Sequence, residues 1–236
     1  MKYLITLLSI LALTVSTALF AEEEPRFTHA RFVEGERSMQ SQITFPDIDG
    51  DTEVVVSCTG HATAKGRLKD ARCSAPNDPK LMFTMAVSRR FNSVRLTPAI
   101  VNGRAEEVDF QFTVVFKKLG ESETFDIYLH NMKNVERLGL NYIGAQRYSE
   151  HPWPGRCLEF TRDDLIMEVA IVNELGIASE FDVLAANFGM SVACRNGFAT
   201  HLQNGKWIPA LHDGKLVESV WAQPRIDMKS TFKRQQ

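Results

Sequence analysis

The chain has 236 residues, 44% of them hydrophobic and 24% charged, a globular balance that excludes a disordered or fibrous protein. Lys and Arg total 27 against 29 Asp and Glu, a net charge of −2. Such a chain has no bulk attraction for nucleic acid or for an anionic membrane surface.

The N-terminal stretch reads as an address. Lys2 opens it, an apolar run follows from Leu4 to Phe20, and Ala21 precedes Glu22-Glu23-Glu24. A basic start, an apolar core and a small residue before an acidic stretch predict a cleaved secretory signal peptide over residues 1–21, with Ala18 as a second cleavage site. The rival reading is an uncleaved anchor, because the run of seventeen residues stands at the lower limit for crossing a bilayer. Membrane contact is expected only in that case. The four cysteines are Cys58, Cys73, Cys157 and Cys194, and an even count in an exported chain suggests disulfides. None forms a Cys-x-x-Cys pair or stands at metal spacing from a His, so neither metal nor cofactor is expected.

Beyond an N-terminal segment (22–42), the sequence predicts one unit twice: 43–130 and 156–226, joined by a linker (131–155) and followed by a polar tail (227–236). The segment Leu96-Thr97-Pro98-Ala99-Ile100-Val101-Asn102-Gly103-Arg104 recurs as Trp207-Ile208-Pro209-Ala210-Leu211-His212-Asp213-Gly214-Lys215, a shift of 111. The same shift carries the alternating Val54, Val56 and Cys58 onto Leu165, Met167 and Val169, and the helical stripe Phe83, Ala86, Val87 and Phe91 onto Cys194, Gly197, Phe198 and Leu202.

In the first unit a strand is predicted over Glu53–Gly60, a turn at Gly66 and a second strand over Leu68–Ser74. Asp78 is placed as the cap of a helix with Pro79 in its first turn, ending near Asn92. Asn102-Gly103 marks a turn, and Val108 to Phe116 alternates so cleanly that one face should meet the helix and the other water. Thr124–Leu129 is expected to fold back on that strand. The predicted class is α+β: two tandem small domains, each a β-β-α-β antiparallel sheet packed on one helix.

These units resemble the C-terminal domain of the TonB family of periplasmic energy transducers. The resemblance rests on Val54-Val55-Val56-Ser57-Cys58, Gly66-Arg67-Leu68, Pro98-Ala99 with Gly103, and Val114-Val115-Phe116. It covers roughly residues 43–118 and, more loosely, 157–224. It implies an α/β sandwich whose exposed sheet edge pairs with an extended segment of an outer-membrane or other envelope protein, by β-augmentation. Only about twenty residues, with Pro25 and Pro46, separate the apolar run from the first unit, so the resemblance carries over the fold and a non-catalytic binding role rather than force transmission. The alternatives are a membrane-anchored TonB-like transducer and an exported enzyme with a dispersed site.

Cys58 and Cys73 look like the hairpin cysteines of some family members, and a hairpin centred between Lys65 and Gly66 sets them opposite each other. Val169 and Val183 are their expected counterparts. Cys157 is expected to pair with Cys194, as the remaining two. The expected binding edge is Leu216, Val217, Glu218, Ser219, Val220, Trp221, Ala222 and Gln223, because no strand follows it and Pro224 should end it.

Sites of chemistry are few. Gly189-Met190-Ser191-Val192-Ala193 lacks the last glycine of a nucleophile elbow and reads as a helix start capped by Ser191, with Val192 beginning the buried stripe. Among His29, His61, His130, His151, His201 and His212 no pair has ligand spacing; His201 is placed at the helix rim and His61 in solvent. Asp163-Asp164 lacks an opposing acidic cluster, and Lys117-Lys118 and Arg89-Arg90 are too short for a nucleic-acid surface. Trp153, Trp207 and Trp221 are expected in packing, Trp221 in the core.

Overall fold

Alternating apolar residues need a partner layer, and in the first unit they find it. The computed structural model describes residues 26–131, 135–148, 165–185 and 191–226. Strand Thr52–Ala62 lies between Leu68–Ser74 and Val108–Leu119, and Ser122–Tyr128 completes a four-stranded antiparallel sheet. Val54, Val56, Cys58, Phe110, Phe112, Val114 and Phe116 are all buried, and helix Met82–Ser88 buries Phe83 and Val87 in the same core. The rings of Phe45, Phe83 and Phe116 meet edge-on.

The helix begins later and ends sooner than its pattern suggests. Pro79–Leu81 forms a 3-10 turn with Lys80 and Leu81 at positive φ, so the α-helix proper starts at Met82. Asp78 still caps it from across the kink, accepting from the N–H of Phe83 at 3.0 Å and of Thr84 at 2.6 Å.

In the second unit, Leu165–Val172 pairs with Ala178–Ala185 on one side and Ser219–Ile226 on the other. Helix Val192–Gln203 packs on this sheet. Ser191 Oγ accepts from the Cys194 N–H at 3.2 Å, as a cap should. Val192 is 75% exposed, so the buried stripe starts at Cys194 and not at Val192. The fold is α+β, dominated by strands in several small sheets.

The backbone pairing of the two units recurs with an offset that changes along the chain. Ala62↔Leu68 recurs as Val172↔Ala178, 110 residues on, whereas Ala99↔Glu106 recurs as Ala210↔Val217, 111 on. Gly66 and Gly176 share the smaller offset; both have positive φ, and a Cβ on either would strike the carbonyl oxygen of Leu96 or Trp207. One extra residue therefore lies between hairpin and helix in the second unit. A constant shift of 111 would turn Leu165, Met167 and Val169 inward. Instead Glu168, Ala170 and Val172 are fully buried and Met167 and Val169 are half-buried on the opposite face. A slip of one residue exchanges the faces of a strand. The counterpart of Cys58↔Cys73 is thus Glu168↔Val183, not Val169 with Val183.

Each unit also has two short strands ahead of its hairpin. Phe27–Thr28 and Arg31–Phe32 pair with Ala99–Val101 and Leu96–Thr97. Tyr142–Ile143 and Gln146–Arg147 pair with Ala210–His212 and Trp207–Ile208 in the same manner. Residues 142–147, expected as linker, are thus built into the second unit, and residues 27–32 into the first.

The units dock tightly. Ile208 is fully buried within the core of the first unit. His29 Nε2 donates to the Pro209 carbonyl at 2.6 Å. The Gln146 amide both accepts from Ala30 N–H and donates to Ala30 C=O, each at 2.8 Å. Asp109, Thr113 and Val115, on the first sheet's face away from the helix, are buried, so this face is covered and not in water. Thr113 Oγ1 there donates to the His130 carbonyl at 2.8 Å.

Cys58 and Cys73 form a disulfide, with Cα atoms 4.1 Å apart. Cys194 is disulfide-bonded; its expected partner Cys157 lies outside the described residues, as do residues 1–25 and 227–236. The Cys58–Cys73 bridge spans a sequence separation of 15. Replacing both cysteines with Ala is expected to lower the unfolding free energy by about 3 kcal/mol. Urea titrations check this, with reductant producing a larger loss in the native protein than in the variant, because the bridge at Cys194 remains in both.

Candidate functional site

The expected binding edge divides at Glu218. Leu216 and Val217 belong to strand Lys215–Val217, which folds back on Ala210–His212. The second element, Ser219–Ile226, pairs with Leu165–Val172 along its whole length. Pro224 does not end it: Pro224 sits opposite Met167 and the ladder continues to Ile226. A strand tolerates such a proline at a sheet edge, where one row of N–H groups is not used. Ser219–Ile226 is the terminal strand of its three-stranded sheet, whereas Val108–Leu119 is flanked on both sides. Ser219, Trp221 and Gln223 point inward and are buried; Val220 is 42% exposed. Gln111 of the first unit donates through Nε2 to the Ala222 carbonyl at 2.7 Å and to Gln223 Oε1. Ala222 and Gln223 are therefore engaged within the molecule, and within Glu218 to Trp221 the exposed side chains are Glu218 and Val220.

Behind this strand lies a polar cluster that sequence reasoning missed. In the first unit Phe32 meets Phe110 and Phe112 edge-on, with centroids 5.3 and 5.1 Å away. The strand pairing places Arg147, Trp221 and Gln223 at those three positions in the second unit, and Glu168 at that of Cys58. Arg147 Nη2 donates to the His201 carbonyl at 3.2 Å and lies 3.4 Å from His201 Nδ1. The guanidinium stands 5.7 Å from the Trp207 ring centroid. His201 Nε2 is 3.7 Å from Glu168 Oε1. Arg147, Glu168, His201 and Gln223 are all 4% exposed or less, so His201 belongs to the core and not to the helix rim.

Charges at such depth persist when they face one another. This network joins the Gln146–Arg147 ribbon, the central strand and the helix. Its burial keeps substrate away, so its work is to hold those three elements together. Among the described residues no group of three His, Cys, Asp or Glu is arranged to hold a metal. One signal of the network is visible in the sequence: Glu168 interrupts an otherwise apolar run from Leu165 to Val172. Arg147 had none, because its strand is two residues long.

The remaining candidates are scattered. His61 is not merely solvated: its Nδ1 is 3.2 Å from Asp109 Oδ1. Lys117 and Lys118 pair with Glu136 and Glu123. His151, Trp153, Asp163 and Asp164 lie outside the described residues, as do Gly189 and Met190.

Two histidines are buried where the units meet. His130 packs edge-on against Tyr142 at 4.9 Å, and burial lowers its pKa to about 4. His29 is lowered by burial, against the opposing pull of its bond to Pro209. A buried neutral imidazole leaves stability intact above the unfolded-state pKa of about 6.5; as pH falls below it, the unfolded chain binds a proton that the native chain refuses. Unfolding free energy is therefore expected to fall between about pH 6.5 and about pH 4, and His130→Gln is expected to flatten part of that slope. Denaturant titrations at several pH values check this. In the polar cluster, Glu168→Ala removes the carboxylate facing His201 and is expected to cost about 3–5 kcal/mol, with Glu168→Gln costing less. No protein-family model, no curated protein and no solved structure matches the chain.

Proposed function

We propose that this is an exported, periplasmic interaction module, built as two diverged units like the TonB C-terminal domain, that takes an extended segment of an envelope or outer-membrane protein onto the outer side of strand Ser219–Ile226. The observation that carries the reading is the asymmetry of the sheets: among the described residues this strand is terminal, while its counterpart Val108–Leu119 is covered by Ser122–Tyr128. An unpaired row of N–H and C=O groups is the template that β-augmentation uses. The Cys58–Cys73 disulfide suits an oxidising, exported compartment. No helix among the described residues is long and apolar enough to cross a membrane.

Backbone groups of an antiparallel strand point alternately to its two sides. The Ala222 carbonyl, reached by Gln111 from the first unit, marks the even-numbered residues as the outward phase. Pro224 falls in that phase, where its missing N–H costs the ladder nothing. Val220 falls in it too, and a partner strand would bond to its N–H and C=O.

Val220→Pro removes that outward N–H and leaves the ladder to Leu165–Val172 in place. A photo-reactive residue at the exposed Glu218 position is expected to cross-link an envelope protein in intact cells, and Val220→Pro is expected to abolish the product while circular dichroism shows the variant still folded. A cross-link that survives the proline sinks the proposal, as does the absence of any cross-link. N-terminal sequencing separates the export readings: a mature chain starting at Glu22 supports the cleaved form, and a retained Met1 turns the reading to an anchored transducer.

A further inference from the structure

Each sheet has a second terminal strand, and these two strands carry opposite charge. In the first unit the terminal strand is Leu68–Ser74, in the second Ala178–Ala185. The first strand and its turn bear Lys65, Arg67, Lys69 and Arg72 against one acid, Asp70. The second strand and its turn bear Glu174, Glu180 and Asp182, and no Lys or Arg occurs from Leu165 to Ala185. All of these charged residues are exposed. At one matched position the charge inverts, Asp182 standing 110 residues beyond Arg72, the offset of the paired hairpins; Asp70 and Glu180, matched by the same offset, are both acidic.

We propose that the basic edge of one molecule pairs with the acidic edge of another, so that the protein assembles head to tail as an extended sheet. A charge row on an edge strand is ordinarily a guard against pairing. Here each row guards against its own kind only. Two basic edges repel and two acidic edges repel, but basic against acidic turns repulsion into attraction. Both edges also carry a bulge at the same place, with Asp70 and Glu180 at positive φ, so their local twist matches.

The two edges of one molecule belong to different sheets. The units touch through Gln111 and Ala222, on strands Val108–Leu119 and Ser219–Ile226. Strand Thr52–Ala62 separates that contact from the basic edge, and Leu165–Val172 separates it from the acidic edge. A contact between unlike surfaces of identical chains propagates into open chains, or closes as a ring. The occupant is a second copy of this chain, and the site is distinct from the Glu218–Trp221 stretch.

The test is sedimentation velocity on the full chain. At low ionic strength the protein is expected to form species larger than a monomer, growing with concentration, and association is expected to weaken on the order of tenfold at about 0.5 M salt. The variant Arg67→Glu with Lys69→Glu has two acidic edges, and the variant Glu180→Lys with Asp182→Lys has two basic edges. Each alone is expected to stay monomeric. Mixed in equal amounts they are expected to assemble again, a rescue that misfolding of either variant cannot produce. A native protein that stays monomeric at low salt overturns the proposal. So does a mixture that fails to assemble while both variants keep the native circular dichroism and unfolding midpoint, or a variant that associates alone as the native chain does.

Discussion

Side chains on a strand alternate between two faces, so the register of Leu165–Val172 decides what the second unit must accommodate inside. That register sends Glu168 inward, opposite Val183 on one neighbour and Gln223 on the other. A carboxylate with no exposure needs partners of opposite charge or hydrogen-bond donors close by. His201 comes from the helix and faces Glu168, and Arg147 comes from the ribbon and donates to the His201 carbonyl. The guanidinium then rests over Trp207, which itself pairs with Arg147 in the ribbon. The residues that the helix, the ribbon and the segment 206–208 present inward thus answer to the phase of one strand.

The same ribbon fixes the two units to each other. Gln146, next to Arg147, faces the other way and holds the backbone of Ala30 through both ends of its amide. Ile208, next to Trp207, inserts into the first unit's core. Adjacent residues therefore serve opposite sides, as extended backbone allows. One short pair of strands carries the polar core of the second unit and the seam with the first. The face of the first sheet that alternation alone reads as wet is covered too: Val115 packs with Tyr128 and Val135, and Thr113 bonds the His130 carbonyl.

The long elements were legible because each contains its own evidence. Val108 to Phe116 alternates over enough residues to fix both strand and phase, and the return of Ser122–Tyr128 follows from its turn. The Cys58–Cys73 bridge follows from the hairpin centre at Gly66. In the second hairpin the pattern shows a strand pair, but the shift of 111 gives it the wrong phase. That offset belongs to the Pro-Ala segment beyond the helix, and one extra residue in between is enough to exchange the faces. Two-residue strands such as Gln146–Arg147 carry no period at all. Their pairing depends on contacts sixty or more residues away, which no local pattern records. The edge is legible in outline: among the described residues Ser219–Ile226 is terminal in its sheet. Its division at Glu218 and its partial cover by Gln111 are not.

The two units hold the same hairpin to the same kind of sheet by different chemistry. The first uses a covalent cross-strand bridge with phenylalanines stacked around it. The second puts Glu168, His201 and Arg147 at the matching place. A disulfide acts largely by restricting the unfolded chain, and reduction removes its effect. A buried charge network acts in the native state and is indifferent to reductant, but each member depends on the others. Gln223, at the end of the expected binding edge, lies directly opposite Glu168. Its inward side therefore belongs to the network, while Val220, three residues earlier, is exposed. A strand added beside Val220 would meet backbone already held in place from behind, with little further ordering to do before it binds.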